Sequence, residues 1–144
     1  LAAPQVGESK MLFLIDWMHL VEEDGGIKPY INPEVVETGD STTVEKEGCL
    51  SLPEIWAEVR RADRIKVRYT TLEGVEVAEE LTGMPARVFL HEYDHLLGIL
   101  FIDRISRSER ARLKSGLQAI LDGTVKPFDG SMPMEDIRTE GIPA

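Results

Sequence analysis

With 144 residues, a 42% hydrophobic composition and a formal net charge of −10, the chain suits one compact globular domain. The acidic balance excludes a broad DNA, RNA or anionic-membrane surface, which needs clustered Lys and Arg, and no apolar run approaches the roughly 18 residues that cross a bilayer. The single cysteine, Cys49, excludes an internal disulfide framework and fits a reducing compartment.

The sequence opens on Leu1 rather than methionine, and "LAAPQVG" has neither the basic start nor the apolar core of a signal peptide. The natural start is therefore expected to be missing. "KMLFLID" (10–16) is an apolar run of strand length, and the acidic, Gly-rich "VEEDGGIKP" after it predicts a turn or hairpin. "YINPEVVETGD" mixes β-branched residues with Asn-Pro and Gly-Asp breaks. "STTVEKEGCLSLP" then places Cys49 at a strand or loop end before Pro53, which is expected to stop regular structure.

From Ile55 to Leu81 the pattern is β. Ile65, Val67 and Tyr69 alternate with Lys66, Arg68 and Thr70, and "LEG" turns into "VEVAEEL", which predicts one antiparallel, half-exposed sheet. At Met84 the period becomes helical, with Val88, His91, Glu92, His95 and Leu96 three or four apart until Gly98. A second helix is predicted from Ser106 to Leu121, opened by Ser106 or Ser108 near Glu109, with an apolar stripe through Leu113 and Leu117 and a basic exposed face. The remainder is rich in Gly, Pro and acids and is expected to pack loosely.

The stretch "RVFLHEYDHLLGILF" (87–101) places two histidines, a glutamate and an aspartate inside an oily run. Unpaired polar groups are costly to bury, so a partner is required. Residues four apart on a helix project from one face about 6 Å apart along the axis, so His91 and His95 can chelate one divalent ion. Glu92 can then reach a water at the metal, the H-E-x-x-H arrangement. Such a site needs a third protein ligand. Cys49 is the candidate, because thiolate has affinity for zinc and iron and the residue sits beside flexible Gly48 at a strand end.

A divalent ion lowers the pKa of its water to about 7, and Glu92 can take that proton and deliver it to a leaving amine. The expected substrate is an amide or peptide carbonyl, whose developing negative charge calls for neutral donors such as the Gln5 side chain. Plainer readings compete at several positions. His19 has no partner motif and reads as an ordinary surface or core residue. Cys49 by itself would more often be a packed small hydrophobe. Asp94 reads as facing solvent or pairing with an arginine rather than orienting a ligand histidine. The basic stretch "RISRSERARLK" reads as a solvated helix face.

Three segments, "LAAPQVG" (1–7), "EGCLS" (47–51) and "HEYDH" (91–95), together resemble the three signature motifs of peptide deformylases, G-x-G-x-A-A-x-Q, E-G-C-x-S and H-E-x-D-H, in that order. The resemblance runs over about positions 1 to 121. It implies hydrolysis of the formyl group from the N-terminal formylmethionine of nascent chains, with release of formate. It also implies Cys49, His91 and His95 as metal ligands, Glu92 as general acid and base, and Gln5 with the backbone N–H of Leu50 as oxyanion donors. The family's native ion is Fe(II), replaceable by Zn(II), Ni(II) or Co(II).

A pocket for the methionine side chain is expected one and two turns before His91, at Met84, Arg87 and Val88, with the head of Arg87 in solvent. The resemblance also implies that the substrate backbone pairs as an added strand, partly with Gly48 and partly with residues just before Leu1. The leading G-x-G of the first motif is absent, so a preceding helix and strand are expected to be lacking and activity to be reduced. The family's bacterial members imply a ribosome contact through the basic C-terminal helix, and a cytoplasm rather than an organelle. The alternatives are a zinc peptidase of the H-E-x-x-H type, with His or Glu as third ligand, and a non-catalytic metal-stabilised binding module.

The expected fold class is α+β: antiparallel, twisted strands surrounding a central HExxH-type helix, with a C-terminal helix. A metallohydrolase domain is expected over 1–121 and a Pro/Gly-rich acidic tail over 122–144.

Overall fold

Alternation of apolar and polar residues produces six antiparallel strands, and the computed structural model describes them within residues 1–20 and 25–125. The strands are β1 (Leu12–Asp16), β2 (Ile27–Thr38), β3 (Thr42–Cys49), β4 (Leu52–Ala62), β5 (Arg64–Thr70) and β6 (Glu76–Thr82). The expected tail from 126 onward lies outside the described residues.

Two sheets form, one in the order β1-β2-β5-β6 and a two-stranded one of β3 and β4. This corrects the expectation of one sheet over 55–81: β4 pairs with β3, whereas β5 pairs with β2 and β6. Burial explains the division. Ile55, Ala57 and Val59 of β4 face a core shared with Phe101 and Ile102, while Ile65, Val67 and Tyr69 of β5 face a second core with Phe13, Tyr30 and Phe89.

Two other expectations at prolines are corrected. Asn32-Pro33 does not break β2 but sits in a register shift between Ile31 and Glu34, where Asn32 takes a φ of 47°. The bulge absorbs the missing proline N–H. Pro53 likewise does not stop regular structure. It lies second in β4, beside the shift at Cys49, where the ladder makes least demand for its donor.

Helix α1 (Gly83–Leu96) starts with Pro85 in its first turn, where the absent N–H costs nothing, and gives way to Gly98 at a φ of 72°. Ala86 and Phe89 sink into the first core and Tyr93 packs beside them, so the helix lies against β1, β5 and β6. The face carrying Arg87 and His91 is left toward β3 and β4. The helix expected from Ser106 to Leu121 is two pieces, α2 (Arg107–Arg112) and α3 (Lys114–Leu121), with the break at Leu113. Ser106 caps α2 through the N–H of Glu109, and α3 packs on β4, where the Gly116 backbone comes close to Ile55. No described helix is long and apolar enough to cross a membrane.

Candidate metal centre

Strand β3 ends on Cys49, and helix α1 carries His91 and His95 one turn apart. Folding brings the three together: one donor atom from each lies within 4.8 Å of the others, and Cys49 Sγ is 3.2 Å from Nε2 of His95. Nδ1 of His91 meets Glu47 Oε2 at 3.0 Å, which leaves Nε2 of that ring for the centre. A carboxylate behind a ligand histidine fixes its tautomer and orientation.

The electrostatics suit a cation. Burial pushes the Cys49 thiol up, but hydrogen bonds with His91 and His95 outweigh it and bring the pKa down to about 6. Burial likewise pushes His91 down, and its bonds to Cys49 and Glu47 raise it to about 9. Glu47, despite its own burial, is held at about 2 by His91 and Arg61. The bonds with His91 and His95 favour the thiolate at Cys49, the form that binds a divalent cation.

One oxygen of Glu92, Oε2, is buried and forms an ion pair with the Leu1 ammonium at 3.0 Å. Soft thiolate with two imidazoles, and an open side, is the donor set of a catalytic zinc or iron site, so the residues fit a divalent ion.

A cavity of about 290 Å³ opens over the cluster, lined by Gln5, Gly48, Cys49, Leu50, Met84, Arg87, Val88, His91 and Glu92 among others. Every candidate site residue from the sequence thus borders one space except His95, which lies buried behind Cys49. Gln5 stands in a 3-10 turn (Ala3–Val6) that ends at Gly7 with a φ of 81°. Its Oε1 accepts from Ala2 N, so its amide nitrogen is aimed at Ser51 Oγ (3.0 Å) and Cys49 Sγ (3.6 Å).

The head of Arg87 is not in solvent as expected. The residue is 4% exposed, and its guanidinium is held by Glu47, the Val59 carbonyl and Thr43. A buried guanidinium needs that many acceptors. Only its stem remains to wall the cavity, beside half-exposed Met84 and partly buried Val88. Of the two readings of Asp94, the arginine pairing holds: it is buried against Arg61 and Arg104.

Glu47 and Arg61 escaped the sequence reading as site residues. Arg61 carries its signal in register: it continues the buried row Ile55, Ala57, Val59 along β4, where a charge must have a partner.

A sequence model of the family described as polypeptide deformylase matches residues 1–111. The chain belongs to the polypeptide deformylase family. It is 48% identical over 120 residues to a peptide deformylase of Thermotoga neapolitana, covering 83% of this chain and 70% of that relative. Among solved structures, peptide deformylase from Plasmodium falciparum superposes with a TM-score of 0.79 at 31% identity, covering 85% of this chain and 72% of the other. That from Thermotoga maritima gives 0.67 at 52% identity, covering 74% and 68%. Membership makes the chain a metal-dependent hydrolase of the deformylase type. The peptidase alternative calls for His or Glu as third donor, and among the described residues the donor beside the two histidines is Cys49.

Proposed function

We propose that the chain removes the formyl group from N-formylmethionyl nascent peptides, using one divalent ion held by Cys49, His91 and His95. The observation that carries this reading is the convergence of those three donors at a cavity that Glu92 also lines. The ion, Fe(II) by family resemblance with Zn(II), Ni(II) or Co(II) as substitutes, acidifies water and polarises a carbonyl when bound.

Glu92 takes the proton of the attacking water on its carboxylate and returns it to the amine that leaves. The amide nitrogen of Gln5, pre-aimed by Ala2, and the N–H of Leu50 donate to the carbonyl oxygen as it gains charge. Met84, Val88 and the stem of Arg87 receive the methionine side chain. Peptide backbone pairs at Gly48 on the edge of β3 that β4 leaves free.

This reading treats α1 as the central element of the fold, with 1–121 as the catalytic domain and 122–144 as an appendage. It sets the enzyme in a cytoplasm, where formylated chains emerge. The run Arg104–Lys114 supports a ribosome contact, although Arg104, Arg110 and Arg112 already pair with Asp94, Asp103 and Glu109. Changing Arg107, Arg110 and Arg112 to Glu should abolish co-sedimentation with ribosomes, and unchanged pelleting would refute the contact.

The deciding test is formate release from formyl-Met-Ala-Ser by protein purified anaerobically and loaded with Fe(II) or Ni(II). Glu92→Gln should lower turnover by about 10² to 10⁴ with metal content unchanged. Equal turnover in the variant would remove Glu92 as the base.

A further inference from the structure

Arg61 stands between the two elements that carry the donors. Its Nε and Nη2 donate to the two oxygens of Glu47 at 2.7 and 2.9 Å, and its Nη1 donates to Asp94 Oδ2 at 2.8 Å. Glu47 belongs to β3, two residues before Cys49, and receives His91. Asp94 belongs to α1, one residue before His95. All three side chains are buried, with relative exposures of 4% to 6%.

We propose that Arg61 is a positioning residue for the metal centre: its planar fork fixes strand β3 against helix α1, so that Cys49 and the two histidines are held at ligand spacing before any ion arrives. The inference rests on the metal-site reading above.

Charge neutralisation alone does not account for the residue, because each carboxylate has a second arginine. Arg87 Nη1 reaches Glu47 Oε1 at 2.7 Å, and Arg104 reaches both oxygens of Asp94, at 2.6 and 3.1 Å. What Arg61 alone supplies among the described residues is a single rigid group bonded to both carboxylates. Three coplanar N–H bonds in fixed directions suit guanidinium, and the single nitrogen of an ammonium cannot reproduce them.

The geometry is also economical in sequence terms. Arg61 stands opposite Thr43 in the β3–β4 ladder and on the same buried face as Glu47, so the strand pairing itself delivers the fork to the carboxylate.

Arg61→Lys separates fork from charge. Affinity for Zn(II) and Co(II) is measured by competition with a chromogenic chelator on protein first stripped of metal, with circular dichroism confirming the fold. The lysine variant should remain folded yet bind ten- to a hundredfold more weakly, the range typical for groups that orient metal ligands. Its Co(II) form should also show a changed ligand-field spectrum, a readout that a role in stability alone would not move. Arg61→Met is the second variant and should lose at least as much affinity, unfolded or not.

Wild-type affinity and an unaltered cobalt spectrum in folded Arg61→Lys would overturn the proposal, because charge would then suffice. Failure of the wild-type chain to bind Zn(II) or Co(II) would instead sink the metal centre itself.

Discussion

Sγ of Cys49 lies 3.2 Å from Nε2 of His95 although 46 positions separate the two residues. The contact joins the last residue of strand β3 to the last turn of a helix whose other face is buried in a different core. That relation makes the cluster a product of the fold, and it makes Cys49 the most discriminating position to change.

Cys49→Ala should abolish tight binding of one divalent ion per chain, measured by metal analysis after gel filtration, and turnover with it. Two imidazoles alone form an incomplete site. The fold should persist, since Cys49 only borders its core cluster. Retained metal would favour the peptidase type of centre.

Gly48→Ala should strain the edge of the cavity. A Cβ there would come within 2.6 to 2.9 Å of the Trp56 ring, which is half exposed and can swing outward only by leaving Lys46, now 5.8 Å from its centroid. Overpacking of this kind costs about 1 to 3 kcal/mol. Denaturant unfolding should show the loss, tryptophan emission should shift toward the solvated value, and Trp56→Ala should cancel most of the cost. A Gly48→Ala variant as stable as the parent would contradict the packing.

Gln5→Leu should keep the metal and lower kcat by about 10² to 10³, the usual effect of removing one oxyanion donor. Steady-state kinetics with metal content measured on the same samples separates this from loss of the ion. An unchanged kcat would assign the oxyanion to other donors.

The alkaline limit of stability should be set by the buried tyrosines. Burial raises Tyr30 to about 12, and burial with a hydrogen bond to Glu79 raises Tyr69 as well. An unfolded tyrosine ionises near about 10. The folded state therefore keeps a proton that the unfolded state releases. The stabilisation is fully present below about pH 10 and is lost as pH rises through about 12. Denaturant midpoints should fall across that window, and tyrosinate absorbance of the folded chain should lag. Tyr30→Phe should show a shallower fall, and a folded wild-type chain in which Tyr30 and Tyr69 ionise near about 10 would refute the account.

Much of the centre was legible in the chain. Helix α1 was readable because its histidines, glutamate and apolar residues repeat with the helical period over adjacent turns, a local property. Cys49 at a strand end, the turn at "LEG" and the start of α2 at Ser106 were readable for the same reason.

What only the tertiary structure decided involves partners far apart in sequence. The periodicity of β4 and β5 is alike, so nothing local told that one strand would join Cys49 and the other would pair with β2. Arg87 looked free to reach water because the sequence could not show Glu47, Thr43 and Val59, 28 to 44 positions away, closing around its head. Arg61, 14 positions from Glu47 and 33 from Asp94, follows the same logic. Side-chain type and period decide which residues can form a metal centre, since both act within a few positions. The orientation and charge of that centre come from buried groups that meet only after the strands have paired, because a buried charge takes whichever opposite charge the packing brings within reach.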